Sequence, residues 1–395
     1  MIAALHEAMV LLLGKNFFLP ENPDAYSELP GNTWLVGQKG KSTFLENLAI
    51  QLAYQGVPFA FIDPLSTSVP FLLEHLPKRW HRDTVYADPF DPAYVVPWNP
   101  LEDLQLQQEK ITAQMVALFR KMLKEGAFEG RSQDVLRMSL LALSGLEDAT
   151  FLHIEKLLHD DSWRRNVIVP KLLGSVRRFW EQEYEQWIKD RQKTMAIAAP
   201  QNKLRIFTTS QILTEMLCAK ERIAPREIMQ NKILLCDIQG HELGEIEAGV
   251  LSSLFLARLT STANHEYVVL IDNAEFISKG VLDAALANPY LKIIVATDHS
   301  SQIDMKRIQN FFVFQVNEDD ANKFKGIFPY HMQRYFMDVG EHICYVKCGR
   351  ELLYLKTYPP YAGTLSKTAD RIRTQSAQRY ARSRSAVRAY LTSVV

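Results

Sequence analysis

The sequence predicts an α/β protein in which a mostly parallel sheet, flanked by helices, is interrupted by an all-α inserted domain. Three observations carry this. Short, purely apolar runs bounded by polar residues recur on both sides of the chain's middle, as strands buried on both faces do. Helical segments such as 246–259 and 280–287 separate the later runs, the alternation of a doubly wound sheet. From about Asp103 to Arg205 the apolar spacing becomes helical throughout, with Ile111, Met115, Leu118 and Phe119, then Val135, Met138, Leu141 and Ala142. The expected division is therefore 1–102 and 206–363 for the two halves of one sheet domain, 103–205 for the helical insert, and 364–395 for a basic tail.

Taken in order, the first 19 residues include Leu11 to Leu13 and Phe17-Phe18-Leu19, apolar enough to pack on the domain or on a partner, and spacing leaves that choice open. Asn32 to Val36 is a short strand before Gly37. Leu45, Leu48, Ala49 and Leu52 then recur at helical spacing up to Gly56, and Phe59-Ala60-Phe61-Ile62-Asp63 is a second strand with an acidic end. After the insert the strand pattern returns at Lys232–Asp237, Tyr267–Asp272, Lys292–Thr297 and Asn310–Gln315. Ile343–Lys347 and Glu351–Leu355 flank Cys348-Gly349-Arg350 as a hairpin.

Composition sets further bounds. At 395 residues the chain exceeds what one hydrophobic core holds, and 47% hydrophobic against 23% charged residues excludes wholesale disorder. Lys plus Arg and Asp plus Glu tie at 45 each, so any basic surface must be local. The run Met9 to Leu13 is far short of the roughly 18 residues a bilayer span needs, and no cleavage-site pattern follows it. Four cysteines are too few for a disulfide scaffold, which points to a reducing cytoplasm. Cys344 and Cys348 share a strand face and, with no Cys or His pair nearby to complete a zinc site, are expected to be core thiols.

The chemistry concentrates after the first strand. A loop of the form G-x-x-x-x-G-K-[ST] surrounds phosphates with backbone N–H groups, a helix N-terminus and a lysine, while its hydroxyl holds Mg²⁺. Gly40-Lys41-Ser42-Thr43 supplies the second half. The first half departs, because Leu35 stands where the first glycine belongs and Gly37 is two residues too close to Lys41. The predicted fold is accordingly that of a RecA-like P-loop NTPase, with Gly37, Gly40, Lys41, Ser42 and Thr43 as a shortened phosphate cradle. Asp272 ends a strand where a magnesium-holding carboxylate is expected, beside Ser42, or else it caps the next helix. A catalytic carboxylate should follow it, but the next residue is Asn273, which leaves Glu275 as the candidate to orient water. His299 follows a strand C-terminus, the ligand edge of an open α/β sheet, or is an ordinary loop histidine. In the tail, Arg371, Arg373, Arg379, Arg382, Arg384 and Arg388 face outward if Ile372, Tyr380, Val387 and Leu391 dock one side of a helix. Such a face contacts phosphates or an acidic partner, or is simply solvated.

From about Gly31 to Leu391 the chain resembles the TraG-like family of conjugation and type IV secretion coupling ATPases, which belong with the HerA and FtsK DNA translocases. The resemblance rests on Phe61-Ile62-Asp63-Pro64, Asp88-Pro89, Trp98-Asn99-Pro100-Leu101-Glu102, Ala199-Pro200-Gln201-Asn202-Lys203-Leu204, the strands ending at Asp237 and Asp272, Asp320-Ala321, and Gln375 to Tyr390. It implies ATP and Mg²⁺ as ligands, DNA and further protein subunits as partners, and a homo- or hetero-oligomer. The departures fall on catalytic parts: the shortened loop, Asp272-Asn273 for Asp-Glu, Ala287-Asn288-Pro289-Tyr290 where the family carries an arginine segment, and Thr297-Asp298-His299 where it carries a polar sensor. An arginine finger is worth roughly 10³ to 10⁵ in rate, so these losses imply a catalytically reduced member with at best slow turnover, which binds ATP and Mg²⁺ or binds neither. Two alternatives stand: an active DNA-dependent ATPase with a shortened loop, and a nucleotide-independent DNA-binding module built on the basic tail. The family's N-terminal membrane segment has no counterpart.

Overall fold

In the computed structural model, the residues described are 10–17, 19, 21, 23–102, 104–122, 130–190, 193–220, 223, 225–300, 303–363 and 367–394, without the side chains of 121, 122, 193–196 and 203. Of the segments read from the sequence, residues 1–9, Phe18, Asp103, 364–366 and Val395 lie outside them. The strands in chain order are β1 (Leu11–Asn16), β2 (Asp24–Ser27), β3 (Thr33–Val36), β4 (Phe59–Asp63), β5 (Thr84–Ala87), β6 (Tyr94–Val95), β7 (Ile233–Asp237), β8 (Tyr267–Ile271), β9 (Leu291–Thr297), β10 (Asn310–Val313), β11 (Ile343–Cys348), β12 (Glu351–Lys356) and β13 (Arg382–Ser383).

Eleven of them form one sheet in the order β2-β1-β12-β11-β10-β3-β9-β8-β4-β7-β5. From β10 to β5 every neighbouring pair is parallel, and from β10 to β2 every pair is antiparallel. Strands β3, β4, β7 and β8 are buried at every residue. That is why their sequences read as unbroken apolar runs: helices cover both faces, and no position is left for solvent. Edge strand β2 instead alternates exposed and half-buried residues. The choice left open for the N-terminus is settled for Leu11–Asn16, which pairs with β12 and buries Leu11 and Leu13. The predicted hairpin is β11 and β12, with Cys344 and Cys348 buried and unbonded on it.

The described chain divides into two compact units. One comprises Met1–Ala87, Pro225–Ser252 and Thr262–Ser376, and the other Asp88–Ala224, Ser253–Ser261 and Ala377–Val395. The first holds the eleven-stranded sheet. The second is mainly helical, with Gln108–Met122, Arg131–Leu143, Phe151–His159 and Lys193–Thr209 as its longer helices, and extends beyond 103–205. Phe119, Phe151 and Phe207, each from a different helix, meet at its centre with centroids 4.4 to 6.2 Å apart.

The tail differs from the single outward-facing helix expected. It is two helices, Thr368–Tyr380 and Arg384–Val394, separated by β13, which pairs with β6. Arg384 is only 6% exposed. Its guanidinium bonds the carbonyls of Asp91 and Pro89 and the carboxylate of fully buried Glu215, which Arg388 also reaches at 2.6 Å. A buried carboxylate must be paired, and this one takes two arginines that the sequence placed at the surface.

Candidate functional site

Register brings the site together. Val36 at the end of β3 lies beside Thr297 at the end of β9, and β9 lies between β3 and β8. The residues following these strands, Gly37, Asp298 and Asp272, therefore share the C-terminal edge of the parallel sheet, where open α/β sheets place ligands. Buried Trp34 fixes the register further, its indole N–H donating to the Thr297 hydroxyl at 2.8 Å.

After β3 the chain makes four loop residues, Gly37 to Gly40, and enters α1 (Lys41–Gln55). Two of them have backbone that only glycine adopts easily. Gly37 has φ 113° and a Cβ there would stand 2.5 Å from the carbonyl oxygen of Gln315; Gly40 has φ 116° and a Cβ there would meet Cα of His342 at 3.1 Å. The loop is tied down on both sides. The N–H of Gly37 bonds the Thr297 carbonyl at 3.1 Å, and that of Gln38 bonds the Gln315 carbonyl at 2.7 Å. Lys41 is 6% exposed, and its ammonium donates to the Gly37 carbonyl and to the Asp298 carboxylate at 2.6 Å. Thr43, the last cradle residue, lies in the first turn of α1, whose N-terminus carries no side-chain cap.

Beside this loop lies a buried acidic layer. Ser42 hydrogen-bonds the Asp272 carboxylate, which also accepts from Thr67 at 3.4 Å, Ser68 at 3.3 Å and the N–H of Asn273 at 3.0 Å. Burial raises the Asp272 pKa, and the Ser42 hydrogen bond and Lys41 charge oppose that rise. Asp63 ends β4, and one of its carboxylate oxygens takes the N–H groups of Ser68 at 2.7 Å and Val69 at 2.9 Å, the start of α2 (Val69–His75). Desolvation carries Asp63 to about 6 against those bonds, and carries Glu46 of α1 to about 7, with the charges of Asp272 and Asp63 adding to the rise in Glu46. Among the described residues no group of three His, Cys, Asp or Glu side chains is arranged to hold a metal by itself.

The other expected residues have definite places. Glu275 lies on the turn after β8, and its carboxylate accepts the backbone N–H of Asp298; burial raises its pKa. His299 is half exposed, with Nδ1 3.2 Å from the carboxylate of Asp320. Asp320 is 3% exposed, yet hydrogen bonds from Ser300, His299 and Lys323 outweigh its desolvation and hold it below the usual range. Arg371, Arg373 and Arg379 are exposed on one helix, Arg382 is half-buried, and Arg384 and Arg388 hold Glu215. Sequence reasoning missed Glu46 and the role of Asp298. Glu46 had a signal, since it follows Ser42 by four residues on an otherwise apolar face of α1. Asp298 had none, because its partner is 257 residues away.

The donors for a magnesium ion, Ser42 and Asp272, stand together. The donors for a β-phosphate do not fit as well: two loop N–H groups and the lysine are already engaged within the chain.

The eleven-stranded, mostly parallel sheet flanked by helices, with this loop leading from β3 into α1, is a P-loop NTPase-like fold. No protein family profile and no curated protein sequence matches the chain. Solved structures do. The plasmid coupling protein TrwB in complex with the non-hydrolysable ATP analogue ADPNP superposes with a TM-score of 0.61 at 12% identity, over 85% of this chain and 87% of that one. TrwB in complex with ADP and Mg²⁺ gives 0.58 at 13% identity, over 86% and 88%. VirB4 of Thermoanaerobacter pseudethanolicus gives 0.56 at 11% identity, over 88% and 96%. At these identities the likeness is one of fold. No helix among the described residues is long and apolar enough to cross a membrane.

Proposed function

We propose that this chain is a catalytically reduced, translocase-fold subunit of a DNA-transfer, secretion or mobile-element-related assembly, acting in the cytoplasm within a homo- or hetero-oligomer. The observation that carries the proposal is the turn after β8. Asn273 stands where the attacking water needs a base, and an amide takes no proton. Glu275, the remaining carboxylate of that turn, is bonded to the backbone N–H of Asp298. The Ala287–Tyr290 turn brings no arginine, and so supplies no charge to a neighbouring subunit's phosphate. The fold shared with coupling proteins supports a place in such an assembly, where this subunit contributes shape and partner contacts.

A second reading, a slow DNA-dependent ATPase, is favoured by the pairing of Ser42 with Asp272, the two side chains that would hold Mg²⁺. The test is turnover of Mg-ATP by the purified protein with and without DNA. We expect turnover far below about 1 s⁻¹, unchanged by Lys41→Ala. Turnover above that rate, lost in Lys41→Ala, would establish the ATPase and remove the proposal.

A further inference from the structure

We propose that Asp298 is the residue that decides ligand access at the shortened loop: its carboxylate is the anion of this anion site, holding Lys41 in the place a phosphoryl group would take. The inference rests on the translocase-fold reading above and concerns the same loop. A lysine 6% exposed at the start of a 15-residue helix with no capping side chain is a strongly electropositive position. Such a position needs an anion, and Asp298 supplies one at 2.6 Å from within the chain. It is held there from three sides. The Asp298 N–H donates to Glu275, the preceding Thr297 carbonyl takes the Gly37 N–H, and the Gly37 carbonyl accepts from the same lysine.

An incoming phosphate must therefore break the Lys41–Asp298 pair and then sit against a half-exposed carboxylate of its own sign. The Gln38 N–H, bonded to Gln315, and the backbone of His342, in contact range of Gly40, narrow the approach further. Shortening of the loop and the arrival of Asp298 thus act together. The first removes peptide donors, and the second satisfies the cation that remains.

The test compares the full-length protein with Asp298→Asn, Asp298→Ser and the double variant Asp298→Asn/Lys41→Met. The probes are inorganic pyrophosphate by thermal shift and a fluorescent ATP analogue by anisotropy. The neutral variants should bind both probes at least about tenfold more tightly than the unaltered protein. The double variant should lose that gain, since Lys41 is the group released. The unaltered protein should show no thermal shift at about 10 mM pyrophosphate, a measurement that needs no variant to fold. Folded Asn and Ser variants that bind no more tightly than the unaltered protein would overturn the proposal, as would a clear shift of the unaltered protein. ATP turnover appearing in Asp298→Asn would instead count against the loss of catalysis proposed above and leave the role of Asp298 standing.

Discussion

Glu46 lies one helical turn past Ser42, and burial carries its pKa from the usual 4.5 to about 7. Asp63 moves the same way, from 3.8 to about 6. Folded values above unfolded ones mean that the native state holds the extra protons. The stability they contribute is present below the unfolded pKa and is lost as pH rises through about 7. Urea unfolding of the protein from about pH 5 to about pH 8 should show falling stability, and Glu46→Gln should flatten the slope. A slope left untouched by that change would refute the assignment. At this scale the sequence was half legible. The i,i+4 spacing of Ser42 and Glu46 can be read directly, and Gly40-Lys41-Ser42 announces its own geometry. The Lys41–Asp298 pair cannot be read, because a contact between strand ends depends on which strands are neighbours.

The element with the largest difference between sequence and structure is the tail. Its arginines follow a helical period, and the periodicity is real in both helices, with Ile372, Val387 and Leu391 buried. Periodicity says which side docks, but not whether a docked side holds a buried carboxylate. Glu215 supplies that carboxylate and draws Arg384 inward. Replacing Arg384 with alanine removes one of two cations from a fully buried charge, so a loss of about 3 kcal/mol or more is expected. Arg379→Ala, at an exposed site, should change stability by less than about 0.5 kcal/mol. Denaturant titration of the two variants checks the contrast, and equal losses would show that Arg384 is not holding the Arg384–Val394 helix in place. Pairing of β13 with β6 is a further feature that two-residue strands give no sequence signal for.

For the whole molecule, the tie of 45 basic and 45 acidic residues limits how strongly any polyanion can be held. Of the tail's arginines, Arg371, Arg373 and Arg379 remain exposed on Thr368–Tyr380 without being committed to Glu215. If the tail contacts DNA through these three, the logarithm of affinity should fall with the logarithm of salt at a slope near −3, from about −0.9 per phosphate. Replacing all three with glutamine should remove most of that dependence in a filter-binding or anisotropy titration. A slope unchanged by the triple substitution would place DNA contacts elsewhere or dismiss them.

The sequence by itself determined the parallel strands of the sheet, the helical segments that follow them, and the short glycine loop that leads from β3 into α1. These are local properties. Apolar runs and helical periods report how a segment is buried, and a motif reports its own turn. Only the tertiary structure decided that β1 and β2 extend the sheet, that Glu215 buries Arg384, and that Asp298 occupies Lys41. Each of these joins residues far apart in the chain, and burial then turns an ordinary charge into one that must find a partner.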